Sequence, residues 1–510
     1  MAVQLPVSYR NPVISGFHPD PSICRVGEDY FLVTSSFEYF PGVPLFHSTD
    51  LVNWQQLGHV LTRTSQLNLR NTGSSGGIYA PTIRHHAGRF YMTTTNVSGG
   101  GNFFVYTDDP WGEWSDPVYV DQPGIDPDLF FDEDGAVYYT SAHDAGGQGA
   151  YQSRIDVKTG ERLTDIQLVW KGSGGQHPEA PHLYHIGEWY YLMIAEGGTE
   201  YGHMVTIARS KRPDGPFEGC PHNPILSHRS LLSPIQATGH GDLIQAPDGG
   251  WWAVFLGIRP VGYPMQHHLG RETFLAPVSW TADGWPVIGD NGIVSELMPA
   301  DGLRLQPLPA APVRDDFEAK ELAPCWTFLR TPDRENWSLT EKSGSLTLHG
   351  SPVTLNEAAT PAFVGRRQQH FAGRFAAHLT FAPQQDGEEA GLTVFMNERF
   401  HYELAVTQLG GVRVLIFRRR LGTLWRIEQE IPWASDTAVL TICADKSQYV
   451  FNYSDGGSEP VIIGQGESGL LSTEVAGGFT GVFIAMYATG NGKCSQAPAH
   501  FDWFDYQELC

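Results

Sequence analysis

The feature that most constrains this chain is a fivefold recurrence of one local pattern. Aromatic or β-branched runs begin at Tyr30, Phe90, Val137, Trp189 and Trp251, each introduced by a polar turn such as V-G-E-D, E-D-G-A or P-D-G-G. A turn leading into an aromatic strand is a hairpin signal. Successive starts are separated by 60, 47, 52 and 62 residues. That is room for about four strands and their turns per unit. Five such units predict a five-bladed β-propeller, the blades arranged around an axial channel.

A second element recurs upstream of each aromatic run. It reads H-P-D-P-S-I, Y-A-P-T-I, I-D-P-D-L-F, E-A-P-H-L and G-H-G-D-L-I. Asp20, Asp126, Glu179 and His240 precede their aromatic runs by 10, 11, 10 and 11 residues, and Tyr79 holds the place in the remaining unit. If the first strand of each blade is innermost, these five positions converge on one end of the channel. An Asp ahead of a strand is ordinarily a turn residue, but matched offsets in separate repeats argue for a shared site.

After Leu297 the texture changes. P-L-P-A-A-P-V (307–313) marks a boundary. Beyond it, period-2 runs such as Ser345-Leu-Thr-Leu-His, Val412-Arg-Val-Leu-Ile-Phe and Phe501-Asp-Trp-Phe-Asp-Tyr predict a β-sandwich. The expected fold is all-β: a propeller over 1–300, a linker over 301–312 and a jelly-roll sandwich over 313–510.

Charge narrows the partners. Thirty-three Lys and Arg stand against 56 Asp and Glu, a formal net charge of −23. A nucleic-acid binder needs a basic surface, and an anionic membrane repels this one. No apolar run of about 18 residues suggests a membrane helix. The start M-A-V-Q-L-P-V lacks the basic and apolar regions of a secretory leader, and six cysteines are scattered without C-x-x-C spacing. Both point to free thiols in the cytoplasm.

Three carboxylates at one channel mouth suit glycoside hydrolysis. One carboxylate activates water, a carboxylic acid protonates the leaving oxygen, and a third charge nearby keeps that acid protonated. Other motifs fail. Gly73-Ser-Ser-Gly-Gly77 matches a nucleophile elbow, but no helix follows it. His267-His268 is adjacent rather than metal-spaced and reads as a surface or loop pair. His240 could ligate a metal or hydrogen-bond in the channel, and the second is expected. A non-catalytic carbohydrate-binding propeller is the alternative from another class. A retaining fructosidase-like enzyme would show W-M-N-D-P-N-G and an E-C pair, which do not occur here.

The runs N-P-V-I-S-G-F-H-P-D-P-S-I (11–23), T-S-S-F-E-Y-F-P-G-V-P (34–44), E-A-P-H-L-Y (179–184), A-E-G-G-T (195–199), A-T-G-H-G-D-L (237–243) and L-G-R-E-T (269–273) together resemble glycoside hydrolase family 43. The resemblance extends to the β-sandwich appended to its β-xylosidase branch. It implies an inverting, exo-acting pentosidase that releases β-D-xylose from xylo-oligosaccharides and has α-L-arabinofuranosidase activity. The alternative is an enzyme acting mainly as an arabinofuranosidase. By the same resemblance Asp20 is the general base, Glu179 the general acid and Asp126 the carboxylate that raises the acid's pKa, with Asp128 its rival. Arg271 binds a substrate hydroxyl, Phe37 walls the sugar pocket, His240 is the channel histidine and Phe479 closes the pocket from the sandwich. One departure stands out: G-G-I-Y-A-P (76–81) carries Tyr79 where the xylosidases have Trp. That form is associated with a sister branch that includes arabinofuranosidases. No cofactor is required, although a calcium ion could sit at Arg314-Asp-Asp-Phe317 or near Asp502. The expected partner is an oligosaccharide, and a homo-oligomer is left open.

Overall fold

A computed structural model describes residues 7–144 and 146–509. The extreme N-terminal residues and Cys510, read above from sequence, lie outside the described residues. The first 300 residues contain five antiparallel sheets, each built from one contiguous segment of chain. Blade I comprises Ser22–Val26, Asp29–Val33, Gly42–Ser48 and Gln55–Leu61. Blade II comprises Thr82–His86, Arg89–Asn96, Gly101–Thr107 and Val118–Tyr119. Blade III comprises Ile125–Phe131, Val137–His143, Gly149–Arg154 and Gln167–Trp170. Blade IV comprises Glu179–Ile186, Trp189–Glu196, Met204–Ser210 and Glu218–Gly219, with Leu226–Ser227 also pairing its third strand. Blade V comprises Gln236–Gln245, Trp251–Ile258, Glu272–Trp280 and Pro286–Ile288.

Each aromatic run is the second strand of its blade, and each repeated polar element leads into the first. First strands of neighbouring blades touch all the way round, from I to II and so on back from V to I. The first strands are therefore the axial ones, as a closed propeller requires. The N-terminal segment ties the ring shut. Tyr9 hydroxyl and Asn11 Nδ2 both donate to the Leu275 carbonyl of blade V at 2.9 Å, and Ser8–Arg10 pairs with Leu297–Pro299.

Residues 303–312 carry no regular secondary structure and are mostly exposed. Two antiparallel sheets follow. One has eight strands, including Leu346–His349, Gly373–Thr380, Thr437–Ala444 and Pro498–Glu508; the other has six, including Glu389–Asn397, Phe400–Leu409 and Phe483–Thr489. Alternate side chains from both sheets fill one apolar core, among them Phe375, Leu404, Ile442 and Phe501. The sandwich is fused to the propeller. Phe328–Leu329 pairs with Tyr39–Phe40, in the connection between the second and third strands of blade I, and the Tyr39 and Phe483 rings stack with centroids 3.8 Å apart.

At Asp315 and Asp502 the calcium reading meets carboxylates that already have protein partners. Asp502 Oδ1 accepts from Lys342 Nζ and Ser345 Oγ, both at 2.8 Å, and its Oδ2 lies 2.7 Å from His378 Nδ1. Asp315 accepts from the Phe317 amide and the Trp326 indole, while Arg314 grips Asp505. These carboxylate oxygens are satisfied by protein donors, which is not the all-oxygen cage that a hard cation needs. Of the two readings of His267 and His268, the structure bears out the loop and not the surface. They lie on a loop, but they are buried between propeller and sandwich. His267 Nδ1 is 2.7 Å from Glu474, and the His268 carbonyl accepts from the Val482 amide at 2.9 Å.

Candidate active site

The axial strands do not run smoothly into the channel mouth. In blades III, IV and V the register with the second strand slips between Ile125 and Asp128, between Glu179 and His182, and between Gln236 and Asp242. The slips carry residues with a left-handed backbone: Asp126 (φ 53°) in blade III, Ala180 (φ 52°) in blade IV, and Ala237 (φ 51°) and His240 (φ 47°) at the two slips of blade V; Asp20 does the same in blade I (φ 56°). Such bulges re-aim side chains and concentrate at functional sites, where the surrounding fold holds the strain.

The register also corrects the matched-offset reading. Ser22, Thr82, Asp128, His182 and Asp242 pair with equivalent points of their second strands. Counting back two residues, the equivalent positions are Asp20, Ala80, Asp126, Ala180 and His240. Glu179 and Tyr79 stand one residue earlier. Turn lengths between first and second strands differ among the blades, so an offset counted in sequence does not preserve the structural position. In blade IV the left-handed place belongs to Ala180, whose amide donates to Asp126 Oδ2 at 3.2 Å.

All eight residues expected at the site line one pocket: Asp20, Phe37, Tyr79, Asp126, Glu179, His240, Arg271 and Phe479, joined by Ala80, Ile125 and Thr199. Its volume is about 480 Å³ including the open mouth. Asp20 is buried, with Arg271 Nη1 and Ser35 Oγ donating to its two oxygens at 2.7 and 2.5 Å and His240 Nδ1 3.6 Å away. Burial alone would raise its carboxyl; Arg271, then His240 and Ser35, outweigh it and hold Asp20 below the usual carboxylate range. Asp126 has no such cation. Burial first, then the charges of Glu179 and Asp20, push it well above the usual range. Glu179 is the more exposed of that pair, with Thr199 Oγ1 at 3.5 Å. Burial, opposed by the charge of Asp20, brings His240 down to about 4.

Asp128 lies in a different layer. It is fully buried, and its oxygens bind Arg84 Nη2 and the Leu183 amide at 2.8 and 2.9 Å. Arg84 also reaches Asp242 at 2.8 Å, and Asp242 accepts from Ser22 and Tyr184, each at 2.7 Å. This ion cluster closes the axis beneath the pocket and ties blades I to V together. Asp128 therefore belongs to the channel floor, while Asp126 faces the cavity.

Three aromatic rings wall the cavity. Phe37 and Phe479 lie 6.0 Å apart at 30°, and Tyr79 stands edge-on to Phe479 at 6.2 Å. Gly77 (φ 83°) lets the Tyr79 segment pass close to blade I, because a Cβ there would stand 2.3 Å from the Phe37 carbonyl oxygen. Phe479 arrives from the sandwich, 40% exposed. Its amide donates to Ser75 Oγ at 2.8 Å, and its carbonyl accepts from Arg271 Nη2 at 3.3 Å. Ser75, in the rejected elbow motif, is thus a strut between the two halves of the protein. Sequence reasoning missed Ser35, Ser75 and Thr199 as site residues. Ser35 and Thr199 lie within quoted motifs, T-S-S-F and A-E-G-G-T, and their small hydroxyls were the available signal.

A pocket that pairs a carboxylate clamped by an arginine with one that burial pushes up, under an aromatic roof, defines a glycoside hydrolase of the propeller type. The chain belongs to glycosyl hydrolases family 43, whose family model matches residues 9–286; the model for the β-xylosidase C-terminal concanavalin A-like domain matches residues 314–507. It is 46% identical to a non-reducing end α-L-arabinofuranosidase of Bacteroides ovatus, over 98% of this chain and 95% of that one. It is 37% identical to a xylosidase/arabinosidase of Butyrivibrio fibrisolvens, over 98% and 99%. Among solved structures, the Bacteroides ovatus protein described as "Xyloglucan PUL GH43B" superposes with a TM-score of 0.95 at 45% identity, covering 99% of this chain and 100% of that one. A xylan β-1,4-xylosidase of Bacillus halodurans superposes at 0.94 with 33% identity, covering 98% and 100%.

Proposed function

We propose that this enzyme is an inverting, exo-acting pentosidase that removes terminal α-L-arabinofuranose and β-D-xylose from short oligosaccharides, with arabinofuranose preferred. The observation that carries the reading is the gathering of Asp20, Asp126 and Glu179 on one pocket closed by Phe479. Asp20, kept ionised by Arg271, takes a proton from the water that attacks the anomeric carbon. Asp126 and Glu179 cannot both ionise cheaply. Glu179, the more exposed of the two, delivers the proton of the pair to the departing oxygen. A closed end admits one terminal sugar and stops a longer chain. The arabinofuranose preference draws on Tyr79 in place of Trp and on the printed activity of the 46% identical relative.

Proton NMR of the first product tests the stereochemistry, and the inverted anomer is expected. Glu179→Ala should spare aryl glycosides relative to disaccharides, because good leaving groups need less protonation. Equal losses would remove Glu179 from the acid role. A ratio of para-nitrophenyl arabinofuranoside to xyloside hydrolysis below one would reverse the preference, and no hydrolysis of either would favour the carbohydrate-binding propeller. A cytoplasmic address fits five unpaired cysteines among the described residues and is checked by cell fractionation. A homo-oligomer is checked by light scattering.

A further inference from the structure

One buried side chain beside the acid has no part in that scheme. His203 precedes the third strand of blade IV and is 1% exposed. Its Nδ1 stands 3.3 Å from the Ala237 carbonyl oxygen. A carbonyl only accepts, so Nδ1 carries a proton, and the neutral tautomer this selects leaves Nε2 as a bare lone pair. Nε2 has no hydrogen-bond partner among the described residues and faces Glu179 Oε1 at 3.7 Å. The ring is held in place: a Cβ at Gly239 would stand 2.3 Å from it, so only glycine there leaves it room. Glu179 itself is without an Arg or Lys partner among the described residues, unlike Asp20.

The other groups around His203 are engaged or distant. Asp20 and Asp126 lie across the pocket, the first clamped by Arg271. His182 and His240 sit on the axial strands, where Arg84 binds His182. Glu200 and Tyr201 share its loop, and His267 and Glu474 face it from the blade V loop and the sandwich. Glu474 is already held by His267 Nδ1 at 2.7 Å and by the Tyr201 hydroxyl at 2.8 Å. Glu179 is the group left for Nε2.

We propose that His203 is a positioning residue for the general acid: its unprotonated Nε2 accepts a hydrogen bond from the Glu179 carboxylic acid, holding that carboxyl in its delivering orientation and favouring its protonated form. A hydrogen bond of about 2.8 Å requires the 3.7 Å separation to shorten by about 0.9 Å when substrate fills the pocket, the tightening that catalytic contacts undergo on binding. The inference rests on Glu179 being the acid.

His203→Asn keeps a nitrogen near the Nδ1 position for Ala237 and leaves nothing at Nε2. The basic limb of kcat/KM should then fall by about one pH unit, the size of one hydrogen bond lost from the protonated form. Xylobiose or arabinosyl-oligosaccharide hydrolysis should lose more than the para-nitrophenyl glycoside. His203→Gln, which returns an acceptor near Nε2, should recover part of both. A basic limb that stays put or moves up, or equal losses on all substrates in both variants, overturns the proposal. Should the variants fold poorly, nitrogen-15 NMR of histidine-labelled wild-type enzyme decides: the Nδ1-protonated ring is expected, and an Nε2-protonated ring refutes the inference. The Glu179→Ala leaving-group comparison stands apart, so a failure of the acid assignment is told from a failure of this one.

Discussion

Arg271→Met is the most searching perturbation of this site. The guanidinium gives Nη1 to Asp20 Oδ1 at 2.7 Å and Nη2 to the Phe479 carbonyl at 3.3 Å, and both it and Asp20 are buried. An opposite charge this close lowers a carboxyl by about 1–3 pH units, and each unit is about 1.4 kcal/mol. Without it, burial is opposed only by weaker contributions, the Ser35 hydrogen bond among them. The acidic limb of kcat/KM on a para-nitrophenyl glycoside should therefore climb by about 1–3 units. A limb that reaches about pH 6 leaves roughly one base in ten ionised at pH 5, a further tenfold loss there that is absent at pH 8. The stability sign follows the same shift. In the native enzyme the Asp20 carboxyl is depressed, so its contribution is present above its unfolded value of about 4 and is lost as pH falls through the folded one. In the variant the folded value is raised, so ionised Asp20 costs stability above about pH 4, and the melting temperature should fall more at pH 7 than at pH 4. Arg271→Lys keeps the charge but not the fork. It should hold the limb near its native position while raising KM through the lost Phe479 contact. An acidic limb unmoved in a folded Arg271→Met enzyme would refute the reasoning, because the group titrating there could not be Asp20 held by Arg271.

Two further outcomes follow from the geometry. Arg84→Met leaves Asp128 and Asp242 buried without their shared cation, and should lower stability by about 3–5 kcal/mol, read as an earlier unfolding midpoint in urea; an unchanged midpoint would show that the axial cluster does not hold the blades. Ser75→Ala removes the acceptor of the Phe479 amide. About 1 kcal/mol of lost hydrogen bonding should raise KM roughly fivefold with kcat little changed, and equal KM would mean that the sandwich roof is held without this strut.

Much of this protein is legible locally. The aromatic second strands at Tyr30, Phe90, Val137, Trp189 and Trp251 are written in short-range pattern, because alternation and turn residues act over a few positions. The polar groups ahead of the first strands were legible for the same reason, and closure of a ring makes their convergence geometric. Strand alternation failed at one choice. Asp126 and Asp128 share a strand face under period 2, yet the bulge with Asp126 at φ 53° puts one in the pocket and the other on Arg84. The one-residue displacement of Glu179 was hidden likewise, since turn length changes a sequence offset without changing the register.

What only the tertiary structure decided are contacts between segments from dozens to hundreds of residues apart. Phe479 meets Ser75 and Arg271, His267 and His268 are buried by the sandwich, and His203 is pressed between Gly239 and Glu179. No local periodicity encodes those pairs. A side chain's charge state and partners depend on what the closed ring and the docked sandwich exclude from water, and that exclusion exists only once both have assembled.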